Sequence, residues 1–232
     1  GRMTGRGVGM TYDRGADELW LQEQAGVSVA PDGAGVGALE VSSGSAGLAR
    51  GSRYLQFERA VQIVHDGRRI EAEQAVGHLS EDEDRLSALD LRGGSRVETA
   101  GATPGALKLM QARDISLTYS ADGARIERAL LAGAGTIALA GEARESDRRI
   151  GGEMLDVALG ADGATVTALA GRQRVTLELP GNRQRPGRTI RSGLVDGTPG
   201  ADGRLTTIRF AEAVQYEETI GTPPVARRVG AA

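Results

Sequence analysis

With 232 residues, 35 of them Gly and only 3% aromatic, the chain has room for one large β domain or two small ones, and its core must be built from Leu, Val, Ile and Ala. Its 28 basic and 31 acidic residues leave a formal net charge of -3, which excludes long-range steering toward nucleic acid or an anionic membrane. With no Cys, disulfides, thiolate nucleophiles and Cys-ligated metal are excluded together, and either redox compartment is compatible.

Gly1 is not an initiator and Met3 opens no recognisable signal, so the chain reads as a piece of a longer one. No apolar run approaches the ~20 residues of a membrane span. Gly5, Gly7 and Gly9, and separately Gly33, Gly35 and Gly37, have the glycine density of a phosphate loop. Neither group follows a strand and opens a helix, so both read as bends. From Gly15 to Gln24 the apolar Leu19 and Leu21 alternate as in a strand, and no amphipathic helix stands out anywhere. A short repeat copy runs from Leu39 to Val64, bounded by the turns Pro31-Asp32-Gly33 and His65-Asp66-Gly67.

From there a 40-residue period governs the chain. Ala121-Asp122-Gly123, Ala161-Asp162-Gly163 and Ala201-Asp202-Gly203 are the same tripeptide, with Asp82 one unit earlier. Ile70, Met110, Ile150 and Ile190 keep step with it, as do Ala75, Ile115, Leu155 and Val195, then Leu79, Tyr119 and Leu159, and then Val97, Ile137 and Leu177. Within each unit the period is two: Ile115, Leu117 and Tyr119 alternate with Asp114, Ser116 and Thr118, the pattern of a strand with one buried face. Asp-Gly between such runs predicts tight hairpins, and roughly fifteen short strands fit the length. After Glu218 the alternation fails, so residues 1–219 read as the domain and 220–232 as a linker or tail.

Chemistry is sparse. Glu81-Asp82-Glu83-Asp84 lacks the glycine of a calcium loop and falls in the turn column, which predicts a solvated turn. His65 and His78 have no metal-ligand spacing, two His and no Cys nearly exclude a triad, and no carboxylate pair stands out. Arg183, Arg185, Arg188 and Arg191 form the most cationic patch, read as a soluble loop with a lesser possibility of meeting phosphate. The expectation is a scaffold with no cofactor, not an enzyme.

Three runs carry a resemblance: Gly7-Val8-Gly9-Met10-Thr11-Tyr12 through Glu18-Leu19-Trp20-Leu21 to Val27-Ser28-Val29; Ala112-Arg113-Asp114-Ile115-Ser116-Leu117-Thr118-Tyr119; and Ile208-Arg209-Phe210-Ala211-Glu212-Ala213-Val214-Gln215-Tyr216. Together they resemble the OstA-type lipopolysaccharide-transport superfamily, which includes LptA, LptC and the N-terminal domain of LptD. The resemblance implies an antiparallel β-jellyroll, open along one side, in the periplasm, either free or anchored in the inner membrane. It further implies lipopolysaccharide or lipid A acyl chains held inside, and other transport proteins docked by end-to-end strand stacking. Ile115, Leu117, Tyr119, Leu155, Val157, Leu159, Val175, Leu177 and Phe210 are the expected lipid-lining residues. A β-propeller also fits a 40-residue period, but the single Trp and missing blade signatures weigh against it. A carbohydrate-active β-helix and a dry structural repeat are the other readings.

Overall fold

The computed structural model describes residues 3–31, 38–49, 51–82, 85–142, 145–182, 185–220 and 225–230. These residues hold fifteen strands and no helix, and every paired ladder whose register is defined is antiparallel. The chain divides into two compact units, Gly1–Ala100 with Arg113–Glu127 and Gly101–Ala112 with Arg128–Ala232, where the sequence reads as one domain. Asp32 and Gly33 of the first turn, the second glycine group, Glu83, Asp84 and Arg183 lie outside the described residues.

The first unit contains β1 (Met3–Asp13), β2 (Glu18–Val29), β3 (Leu39–Ser43), β4 (Ser45–Ala49), β5 (Tyr54–His65), β6 (Arg68–Leu79), β7 (Leu86–Thr99) and the second half of β8 (Leu107–Tyr119). It is a meander: β1 pairs β2, β2 pairs both β3 and β4, both of these pair β5, and β6 and β7 follow. The second unit holds the first half of β8, β9 (Ile126–Leu139), β10 (Arg148–Leu159), β11 (Val166–Leu179), β12 (Gly187–Pro199), β13 (Leu205–Ala211), β14 (Gln215–Ile220) and β15 (Val225–Gly230). It too is a meander, with β13 and β14 both pairing β12. The segment read as a tail therefore contributes β15, which pairs Tyr216 with Val229 and Glu218 with Arg227. Backbone pairing holds such a strand, and no side-chain alternation need announce it.

The strands are longer than expected because each is two short strands joined at a bulge. Arg59-Ala60, Gly93-Gly94, Gly133-Ala134, Gln173-Arg174 and Glu212-Ala213 are consecutive residues at positive φ, and the middle three pairs recur every 40 residues. At each such point the register slips. Gly151 faces Thr176 but Met154 faces Arg172, so β11 spends one residue more than β10. An extra residue bends the strand and raises its twist. Within each unit the bulges align into a crease, which falls between β3 and β4 in the first unit and between β13 and β14 in the second.

Within each unit the crease doubles the sheet back on itself. The 13 residues of β8 would span about 40 Å if straight, at roughly 3.3 Å per residue. Yet in the second unit the N–H of Leu107, at the start of β8, donates to the carbonyl of Ala164, in the turn after β10, at 2.8 Å. Start of β8 and end of β10 lie at opposite ends of the strands, so this bond joins the two lips of the folded sheet. Between the halves of the second unit sit the repeat columns: Leu131, Ile137, Leu155, Val157 and Val175 are all at 0% exposure.

The turns differ in kind. His65-Asp66-Gly67 makes a two-residue hairpin with Asp66 at φ 48 and Gly67 at φ 71, the left-handed pair that a type I′ turn needs. The Ala-Asp-Gly turns are wider: Ser120 and Arg125 close the loop (N–H to carbonyl, 2.8 Å), and the Gly123 N–H donates back to the Ser120 carbonyl at 2.7 Å. Asp122 serves as a turn acceptor, its Oδ1 taking the Ala124 N–H at 3.0 Å. Gly5 and Gly7, expected as bends, lie within β1, and only Gly9 adopts positive φ there.

Candidate functional site: the apolar interior and its uncovered edge

Nine side chains are expected to line the interior. Ile115, Leu117 and Tyr119 belong to the first unit and are 0%, 1% and 9% exposed. Leu155, Val157, Leu159, Val175 and Leu177 belong to the second and are likewise buried, whereas Phe210 is half-buried. In the second unit they converge. A methyl group placed on Gly171 would lie 2.7 Å from Val195 Cγ1, 2.9 Å from Leu155 Cδ2 and 3.5 Å from Val175 Cγ2, and one on Gly152 would meet the same Leu155 and Val175 atoms. Two glycines thus make room for the bulkier neighbours to fill the crease.

Tyr119 illustrates the closed part of the interior. Burial pushes its hydroxyl up to about 12, opposed by the Arg68 guanidinium. Arg68 begins β6 and Tyr119 ends β8, again opposite ends of the strands, as the folded-over sheet requires.

The interior does not stay closed to the edge of the first unit. Cross-strand partners share a face, so the row Phe57, Ala46, Leu21, Met10 runs outward from β5 through β4 and β2 to β1. Phe57 and Ala46 are each 5% exposed, Leu21 is half-buried and Met10 is 66% exposed. The next row, Leu55, Leu48, Leu19, Tyr12, ends on a Tyr12 that is 57% exposed. Val8 is also exposed on β1, which pairs β2 alone among the described residues. The sequence reading placed the site on the central columns and missed this edge. The signal lay in the run Val8, Met10, Tyr12, an apolar alternation with no later strand to cover it.

The polar constellations are structural. Ser116 Oγ donates to Asp90 Oδ1 at 2.6 Å and His78 Nε2 lies 3.1 Å from Asp90 Oδ2, so Asp90 stands between the other two. Burial raises its carboxyl, but the Ser116 and His78 hydrogen bonds and Arg92 outweigh this and hold it below its ordinary value. In a serine–histidine pair the imidazole takes the hydroxyl proton, whereas here the Ser116 hydroxyl faces the weakly basic Asp90 carboxylate and His78 lies on its far oxygen. In the cationic patch Arg188 pairs Glu218 at 3.4 Å and Arg191 pairs Glu217 at 3.1 Å, which neutralises half of it. Among the described residues no group of three His, Asp or Glu is placed to hold a metal ion, and no helix is long and apolar enough to cross a membrane.

No protein-family model matches the chain, and no curated protein matches it significantly. Any functional reading therefore rests on the residues themselves.

Proposed function

We propose that this chain is a non-catalytic lipid-handling scaffold of the OstA type, a rolled β-jellyroll that works in the periplasm. In this reading it binds the acyl chains of lipopolysaccharide or lipid A and docks end to end with other transport proteins through strand β1. The observation that carries the reading is the outward row from Phe57 to Met10, in which an apolar interior face continues onto β1, an edge strand that pairs β2 alone among the described residues, and meets water. Such a face suits a multi-acyl amphiphile, because each buried methylene contributes about 0.8 kcal/mol without any directed polar contact. The test is photo-crosslinking in cells that make lipopolysaccharide, with the reactive side chain at Met10, Leu21, Leu117 or Val157. Lipid adducts at Met10 and Leu21 support the reading; adducts at none of the four, while a known bridge protein labels in parallel, overturn it.

A second reading is a dry scaffold whose apolar edge docks protein only. It is favoured by the complete burial of Leu155, Val157 and Val175 and by the Leu107 to Ala164 bond across the lips. Protein adducts at Met10 with no lipid adduct anywhere would establish it over the first.

A further inference from the structure

On the outer face of the second unit the crease leaves a hollow of about 450 Å³. Its floor is Gly151, whose missing side chain leaves open space: a methyl group there would meet nothing nearer than Gly135 O and Thr136 Oγ1, both at 3.7 Å. Thr136 and Thr176 flank Gly151 as its cross-strand partners on β9 and β11. Two residues further along, on the same face, Arg149 faces Glu178, and at the bulge Glu153 and Arg174 form an ion pair that walls the hollow.

Four of these groups are uncommitted. Among the described residues the Thr136 and Thr176 hydroxyls, the Arg149 guanidinium and the Glu178 carboxylate make no hydrogen bond or ion pair. The field of Arg149 reaches Asp147, but Lys108 already holds that carboxylate at 2.9 Å. The hollow therefore presents a fork of donors, a two-oxygen acceptor and two hydroxyls that do both, around a flat backbone floor. Two Arg and two Glu cancel in charge, so the hollow does not select an anion.

We propose that this hollow is a binding site for an uncharged saccharide segment. A pyranose ring offers alternating donors and acceptors at its rim, and vicinal hydroxyls match the paired atoms of a guanidinium or carboxylate. Its C–H face lies against the Gly151 backbone, where any larger side chain would stand in the way. The volume falls in the usual range for small-ligand sites and admits one to two rings. With no aromatic residue to stack on a ring, affinity comes from hydrogen bonds alone and is weak.

The inference is independent of any lipid bound inside, and its test contains none. Saturation-transfer NMR on the full chain, with maltotriose, cellotriose, mannotriose and chitotriose as probes, should show transfer to at least one. Gly151→Val, which adds bulk to a floor where a Cβ meets nothing nearer than 3.7 Å, and Arg149→Met, an exposed change, should each weaken that sugar at least ten-fold without lowering the urea midpoint. Transfer to none of the four, or transfer that survives both substitutions, overturns the site. Tighter binding of glucose 6-phosphate than of glucose overturns the uncharged class.

Discussion

Two glycines on adjacent strands of the second unit should respond oppositely to the same small change. Neither has positive φ, so Ala at either position relieves the entropic penalty of Gly in a strand, roughly 0.5–1 kcal/mol. At Gly151 the added methyl meets only atoms at 3.7 Å, so Gly151→Ala should stabilise by about that amount. At Gly171 it would press on Val195 Cγ1 at 2.7 Å and Leu155 Cδ2 at 2.9 Å. Overpacking a filled core costs about 1–3 kcal/mol, so Gly171→Ala should destabilise by ~1 kcal/mol net. Combining Gly171→Ala with Val195→Ala should cost less than the sum of the two single changes, since the nearest obstructing atom is then gone. Urea titration reads all of this: with a slope of ~2 kcal/mol/M, the two single variants should have midpoints about 1 M apart. Equal shifts of the same sign would refute the close packing at the crease, and with it the argument that the interior is filled by its own side chains.

Three further outcomes follow from the same structure. Leu117→Asp should abolish folding of the first unit, because an unpaired carboxylate replaces a side chain at 1% exposure, whereas Thr118→Asp on the exposed face should leave its melting curve nearly unchanged. The Thr165 hydroxyl, with the Thr165 and Ala164 N–H groups, lowers Asp162 from 3.8 to about 2, so the stability it contributes is present above its unfolded value and is lost as pH falls from about 4 to 2. Asp162→Asn should flatten the acid-unfolding slope in that window alone. Ala134 sits at φ 58 in the crease, so Ala134→Gly should stabilise by about 1 kcal/mol, checked by the same urea titration.

The strands, their inward faces and the turn positions were legible because period-2 alternation and a 40-residue repeat both leave marks in side-chain type. Ile70, Met110 and Ile150 occupy equivalent buried sites, as their spacing implies. The crease was not legible, although Gly93-Gly94 and Gly133 are also 40 apart, because the third copy is Gln173-Arg174. Backbone conformation recurs there without residue identity. Alternation alone makes Ser116 a harmless surface position, but the neighbouring strand places Asp90 within 2.6 Å of its hydroxyl, so Ser116→Asp sets two carboxylates together.

The packing also decides where a lipid would gain most. An acyl methylene moved from water into an apolar site gains about 0.8 kcal/mol, but only if the site is otherwise wet or empty. Around Leu155, Val157 and Val175, at 0% exposure, it would displace side chains that gain the same from burial, and the net is close to zero. Opening the lips would further break the hydrogen bond from Leu107 to Ala164. At β1 the displaced partner is water: Met10 and Tyr12 are 66% and 57% exposed, on the face that leads inward to Phe57. The lipid reading therefore places the first contact at the β1 edge, so labelling at Met10 should exceed labelling at Leu117. The reverse order would mean that the interior opens far more readily than its packing implies.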